Sequence, residues 1–141
     1  MRILAVDPGS KRVGLAVSDP TGTIATALAT IPAAPSETLP ARIAAAAREQ
    51  AAERIVVGLP LRMDGRRGPE ASAAERLAAA VRHVSGLPVE TVDERLTTAA
   101  AERALIESGE RRAARKGSID RVAAVILLQG HLDRVRSNRA G

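Results

Sequence analysis

The sequence contains no cysteine, which excludes disulfide bonds, a thiolate zinc site and a cysteine nucleophile. It also contains no phenylalanine, tyrosine or tryptophan, so its core must be aliphatic and it has no aromatic platform on which nucleic-acid bases could stack. No apolar run approaches the roughly 20 residues that a membrane span requires, and the first residues enter a strand-like run without the pattern of a signal peptide. We therefore expect a cytoplasmic protein.

The length of 141 residues, with 45% hydrophobic and 26% charged residues, is typical of one globular domain. We expect that domain over residues 1–135 and a flexible basic tail over residues 136–141. The net charge of +5 lies in the last third, since residues 95–141 hold 10 basic and 5 acidic side chains. This excess favours a polyanionic partner, most simply nucleic acid, although an arginine-rich solvated surface is an equal alternative.

The order of predicted elements indicates the fold class. Three strand-like segments joined by short turns come first, over residues 2–7, 13–18 and 23–31. Helices and strands then alternate: helix 37–51, strand 54–58, helix 69–84, strand 87–92, helix 97–108, a mobile basic loop over 109–117 and helix 119–135. Because crossover helices make the later strands parallel to the first, we predict a mixed five-stranded α/β sheet in the order 3-2-1-4-5, flanked by helices, as in a ribonuclease-H-like fold.

Acidic residues end two of the predicted parallel strands. Asp7 ends the first strand and Asp93-Glu94 ends the last, while Asp120 begins the final predicted helix. Ligand sites in open α/β sheets form at this edge, and oxygen ligands without cysteine or histidine suit Mg²⁺ or Mn²⁺. Successive strand residues face opposite sides, so only one of Asp93 and Glu94 should enter the site, and Glu94 has the longer reach.

Each acid also has a structural interpretation that needs no metal. Asp7 can open the Asp-Pro-Gly turn, and Glu94 can be a solvated acid paired with Arg95. Asp120 can be favoured by the helix dipole next to a capping Ser118. His83 and His131 are interpreted as surface or packing residues. No phosphate-binding glycine motif is present, which disfavours a nucleotide cofactor.

Four blocks in the sequence resemble the YqgF/RuvX family of Holliday junction resolvases, in family order and over nearly the whole chain. They are Val6–Asp19, Val56–Gly65, Val92–Thr98 and Lys116–Gln129. The resemblance implies a ribonuclease-H-like fold and a divalent-metal-dependent nuclease, with catalytic and metal-binding carboxylates at Asp7, Glu94 and Asp120. Asp93 is the alternative ligand. Family members are linked both to cleavage of branched DNA and to maturation of the 5′ end of pre-16S ribosomal RNA.

With these carboxylates, the enzyme would hydrolyse phosphodiesters of structured nucleic acid by means of two Mg²⁺ or Mn²⁺ ions. Lys11, Arg12 and Arg95 are then candidates to contact the reacting phosphate. Neighbouring phosphates would be gripped by Arg111, Arg112, Arg115 and Lys116. The competing hypothesis is a non-catalytic ribosome- or RNA-binding factor that keeps the basic residues and does not use the acids. The sequence leaves both a monomer and a homodimer open.

Overall fold

A computed structural model describes residues 1–61, 64–94 and 112–140, with the backbone alone over 112–122 and 138–140. Its strands are β1 (Ile3–Pro8), β2 (Arg12–Ser18), β3 (Ala25–Ala27), β4 (Ile31–Pro32), β5 (Arg54–Leu59) and β6 (Val89–Asp93). Its helices are α1 (Leu39–Glu49), α2 (Pro69–Ser85) and α3 (Arg112–Ala140). The predicted helix over 97–108 lies outside the described residues. No helix within the described part of the chain is long and apolar enough to cross a membrane.

The strands form one mixed sheet in the order β3-β2-β1-β5-β6, with β4 beside the other end of β2. β1 pairs antiparallel with β2 and parallel with β5, and β6 pairs parallel with β5. The predicted mixed sheet flanked by helices is therefore confirmed, and β5 and β6 correspond to the predicted strands four and five. The parallel trio β1, β5 and β6 brings three carboxyl ends to one edge.

The predicted third strand, residues 23–31, is instead two short strands. Ala27 pairs with Ala16 and Ile31 pairs with Val13, so five residues on this side span four on β2. One extra residue on one side of an antiparallel pair is a β-bulge, which interrupts the ladder. The sheet consequently has six strands rather than five.

The side chains of the sheet pack into two aliphatic clusters, one on each face, as strand alternation requires. We call the first the α1/α2-side cluster; its members include Leu4, Val6, Ile43, Val57, Val81 and Val89. We call the second the α3-side cluster; its members include Ile3, Ala5, Val56, Val92, Leu127 and Leu128. This alternation assigns every residue of β1, β5 and β6 to one face or the other.

Helix α3 begins earlier than the sequence predicts. Residues 112–117 are helical, which corrects that part of the basic loop expected over 109–117; residues 109–111 lie outside the described residues. The segment Arg-Ala-Ala-Arg-Lys is made of strong helix formers, and a single Gly117 costs only about 1 kcal/mol relative to alanine. Asp120 is therefore the ninth residue of α3 rather than a first-turn residue, and Ser118 lies within the helix. The helix also continues through residues 136–140, where the sequence predicts a flexible tail.

The turn after β2 is organised by one carboxylate. Asp19 accepts hydrogen bonds from the backbone N–H groups of Thr23 and Ile24, both at 2.8 Å, and of Thr21 at 3.2 Å. The hydroxyl of Thr21 donates to it as well. Because these bonds favour the ionised form, the pKa of Asp19 is held far below its usual value. The turn leads the chain into β3, at the edge of the sheet.

Candidate active site

The carboxyl ends of the parallel strands place two predicted acids next to each other. Asp7 lies one residue before the end of β1, and Glu94 immediately follows β6. Between these strands runs β5, whose Gly58 pairs with Val92 and whose Leu59 pairs with Asp93. The two acids therefore reach toward each other across the end of β5.

Strand alternation separates Asp93 from the other two acids. On β1, Ile3 and Ala5 belong to the α3-side cluster, and Asp7 follows them with the same two-residue period. On β6, Val89 belongs to the α1/α2-side cluster, and Asp93 shares its face. The chain continues to Glu94, whose side chain lies on the α3 side with Asp7. The geometry thus pairs Asp7 with Glu94 and leaves Asp93 on the opposite face.

A glycine makes room for the Glu94 side chain. A Cβ atom built on Gly58 would lie 3.0 Å from Cδ and 3.1 Å from Cγ of Glu94, and closer still to Oε1. Real Cβ atoms do not sit that close to a neighbour, so an alanine here would displace the carboxyl group. A glycine inside an apolar strand signals such a close approach. That signal was present in the sequence, but no role was predicted for Gly58.

The pairing of the acids changes how Glu94 titrates. Burial, a hydrogen bond with the Asp7 carboxyl group, and the charges of Asp7 and Asp93 raise the pKa of Glu94 to about 9. The Glu94 Oε1 atom is itself buried from solvent. Two carboxyl groups confined together in this way cannot both ionise without large repulsion, so they hold a proton between them near neutral pH. A divalent cation would relieve the same repulsion, and hard oxygen ligands suit Mg²⁺ or Mn²⁺.

Asp120 occupies a position on the sheet-facing stripe of α3. It lies four residues before Ala124 and seven before Leu127, and both of these are buried in the α3-side cluster. Its side chain is outside the described part of the structure. Among the residues whose side chains are described, no group of three potential metal-ligating side chains is found. The structure therefore brings Asp7 and Glu94 together, and the third predicted acid stays a prediction.

The predicted phosphate-contacting residues fall into three groups. Lys11 and Arg12 are exposed in and after the β1–β2 turn, which follows Asp7 at the same end of the sheet. Gly9 permits this tight turn, since a Cβ there would lie 2.5 Å from the carbonyl oxygen of Arg12. Arg95 and Arg111 lie outside the described residues. The positions of the remaining three, Arg112, Arg115 and Lys116, are in the first turns of α3.

A groove of about 610 Å³ lies on the other side of the β1–β2 turn. Its walls include Pro8 and Ser10 of that turn, Leu39 of α1, and Glu70 and Leu77 of α2. It is thus on the α1/α2 side of the sheet, whereas Asp7 and Glu94 meet on the α3 side. The groove and the acidic pair are separate features of the molecule.

Both sequence comparisons match nearly the whole chain. A family model described as "RuvX: Holliday junction resolvase" matches residues 1–134. A protein of Chloroflexus aurantiacus described as "Putative pre-16S rRNA nuclease" is 47% identical over 136 residues, covering 96% of this chain and 89% of that protein. A protein of Moorella thermoacetica with the same description is 45% identical over 141 residues, covering 98% and 99%.

Solved structures of resolvases share the fold. RuvC of T. thermophilus, in complex with a Holliday junction substrate, superposes with a TM-score of 0.62 at 15% identity, covering 97% of this chain and 96% of that chain. The fowlpox virus resolvase, in complex with Holliday junction DNA, gives a TM-score of 0.61 at 12% identity and covers 96% and 99%. At these identities the likeness is one of fold, and it confirms the predicted ribonuclease-H-like class.

Proposed function

Because the chain belongs to the RuvX family of Holliday junction resolvases, we propose that it is a divalent-metal-dependent endonuclease acting on structured nucleic acid. The observation that carries this proposal is the pairing of Asp7 with Glu94 at the carboxyl edge of the sheet. A structural turn acid and a solvated surface acid have no reason to share a half-buried site. Two carboxyl groups held together at a cost in repulsion are what a cation-binding site requires.

The residues fit Mg²⁺ or Mn²⁺. Asp7 and Glu94 would hold the metal together with Asp120, whose helix position is on the same side of the sheet. When bound, such ions supply an activated water and neutralise charge on the phosphate. Gly58 lets the Glu94 carboxyl group sit against the backbone of β5, so that it stays beside Asp7. Asp93 faces the other side and is not assigned to the metal.

The protein's own cations orient the substrate. Lys11 and Arg12 are exposed at the end of the sheet where Asp7 lies, so they are placed to contact the phosphates that flank the scissile bond. We propose that the basic residues Arg112, Arg115 and Lys116, whose positions are near the start of α3, contact further phosphates. Since the chain has no phenylalanine, tyrosine or tryptophan, we propose that recognition rests mainly on phosphates and on the shape of the substrate.

We propose precursor 16S ribosomal RNA as the first substrate to test, with four-way junction DNA as the second. Relatives named for a pre-16S rRNA nuclease are 47% and 45% identical to this chain. Resolvases bound to junction DNA share the fold at 15% identity or less. The names of these relatives place RNA first, and the family model described for Holliday junction resolvases keeps junction DNA as the second substrate. A cytoplasmic location follows from either substrate.

The test compares three purified variants with the wild type on both substrates, with Mn²⁺ and after chelation by EDTA. Asp7→Asn and Glu94→Gln keep the size of each side chain and remove its charge, so each should abolish cleavage and leave substrate binding intact. Asp93→Asn is the matched control, because it removes a neighbouring charge on the opposite face; most activity should remain.

Cleavage by Asp7→Asn at the wild-type rate, or full wild-type activity after exhaustive chelation, would contradict the proposal. Tight binding of the precursor RNA by the wild type without any cleavage in Mn²⁺ would instead identify the non-catalytic RNA-binding factor.

A further inference from the structure

The side chain of Gln129 ties helix α3 to the edge of the sheet. Its Nε2 donates to the carbonyl oxygen of Thr23 at 2.9 Å, and its Oε1 accepts from the backbone N–H of Ala25 at 3.0 Å. Nε2 also donates to Asp133, one turn further along the helix, at 3.0 Å. The amide thus pairs with the backbone beside β3 as a neighbouring strand would. Gln129 is the last residue of the block Lys116–Gln129, and the acidic site does not account for it.

Among the described side chains of α3, the other contacts with the sheet are aliphatic packing and one long polar contact. Ala124, Leu127 and Leu132 are buried against the sheet and hold the helix on its face. At the opposite edge of the sheet, Nε2 of His131 lies 3.5 Å from the carboxylate of Glu90 in β6, which is long for a hydrogen bond. The two bonds from Gln129 to the backbone at β3 are short and directional, so they add a specific constraint on the position of the helix along its axis.

That position determines where Asp120 lies relative to the acidic pair. Gln129 bonds to Ala25, and Ala25 pairs with Ser18 of β2. The hydroxyl of Ser18 accepts a hydrogen bond from the N–H of Ile3, the first residue of β1, so Gln129 is level with the start of β1. Asp120 precedes Gln129 by nine residues, or about 13 Å of helix. Asp7 follows Ile3 by four residues, or about 13 Å of strand. The two lengths match, which is what an α3 running antiparallel to β1 requires for position 120 to be level with Asp7.

We propose that Gln129 is a positioning residue that holds Asp120 at the level of Asp7 and Glu94. This inference rests on the proposed function, in which all three acids bind the metal. Gln129 touches neither substrate nor metal. It acts by fixing the register of α3 against β3, and its removal lets Asp120 drift from the other two ligands.

The experiment measures Mn²⁺ affinity by calorimetry on metal-free protein, without substrate. Gln129→Met keeps the length of the side chain and removes both bonds to the sheet; it should weaken Mn²⁺ binding about tenfold, the effect of removing a supporting residue in a metal site. Gln129→Glu keeps the acceptor for Ala25 but turns a carboxylate oxygen toward the Thr23 carbonyl oxygen and Asp133, so it should weaken Mn²⁺ binding at least as much as Gln129→Met. Asp133→Ala is the matched control, because it removes only bonds within the helix, those from Gln129 and Arg136, and should leave the affinity unchanged.

A double-mutant cycle separates positioning from general destabilisation. Once Asp120→Asn has removed the ligand, adding Gln129→Met should weaken Mn²⁺ binding no further, even though the melting temperature falls. Wild-type affinity in both Gln129 variants, or full additivity in the double mutant, would overturn the inference while the proposed function stands. Unchanged Mn²⁺ affinity in Asp120→Asn alone would instead remove Asp120 from the proposed metal set, and the inference with it.

Discussion

Because Gly58 lies so close to Glu94, the effect of Gly58→Ala on stability should depend on which residue is at position 94. A Cβ at position 58 would lie 3.0 Å from Cδ of Glu94 and nearer to Oε1, so the carboxyl group must move by about 1 Å. Such overpacking in a well-packed region costs about 1–3 kcal/mol. We therefore expect Gly58→Ala to lower the free energy of unfolding by about that amount.

Removing Glu94 should reverse the effect. The backbone at Gly58 does not require a positive φ, so alanine is compatible with the strand once the side chain opposite is gone. A compatible glycine-to-alanine change stabilises by about 0.4–1 kcal/mol, because the unfolded chain has less conformational freedom. Gly58→Ala should thus be stabilising in the Glu94→Ala background. It should still be destabilising in the Glu94→Gln background, where the size of the side chain is kept.

Urea denaturation of the six proteins measures these differences, provided that the slope of the transition is unchanged. The same displacement should lower kcat in the nuclease assay by about 100-fold, since a shift of 1 Å in a reacting group costs about that much. Equal destabilisation by Gly58→Ala with glutamate and with alanine at position 94 would refute the reasoning. Gly58 would then serve the strand itself and not the acidic pair.

Three further outcomes are expected. Replacing Arg111, Arg112, Arg115 and Lys116 with alanine should weaken nucleic-acid binding. The slope of log affinity against log salt concentration should fall by about 0.9 for each duplex-DNA phosphate that is no longer neutralised. Identical salt titrations of this variant and the wild type would show that these residues do not contact the phosphates. Burial lowers the pKa of His131, so on acidification this side chain is protonated in the unfolded state before it is protonated in the folded state. Stability should therefore fall as pH drops below about 6.5. The urea midpoints at pH 7.5 and pH 5.5 should differ less in His131→Gln than in wild type. Backbone hydrogen bonds depress the pKa of Asp19, so its contribution to stability is present above about pH 4 and is progressively lost below that pH. Asp19→Ala should lower the melting temperature at pH 7. On acidification, the melting temperature of this variant should fall less than that of the wild type.

The basic segment before Asp120 is where the sequence-based prediction was wrong. The glycines at 109 and 117 and the run of charges between them favour a loop when only local signals are considered. Residues 112–117 are nonetheless helical, because their arginines, alanines and lysine are good helix formers that extend a helix whose later turns pack on the sheet. Helix length depends on that tertiary packing, which no local window contains.

The split of the third strand has a similar origin. Residues 23–31 contain apolar and β-branched side chains throughout, and the sequence alone predicts one strand. The bulge between Ala27 and Ile31 exists because both short strands must pair with the same seven residues of β2. Pairing between strands is a property of the sheet, so a single segment cannot reveal it.

By itself, the sequence determined the fold class and the strands that carry the acids. Aliphatic periodicity, turn residues and the order of elements are local signals, and they sufficed to place Asp7 and Glu94 at the ends of two parallel strands. Only the tertiary structure decided which acids meet. The face of each residue, the close contact of Glu94 with Gly58 and the hydrogen bonds from Gln129 to the backbone at β3 depend on how distant segments pack. Burial and a neighbouring charge then raised the pKa of Glu94, an effect that exists only when two strands, far apart in the chain, lie side by side.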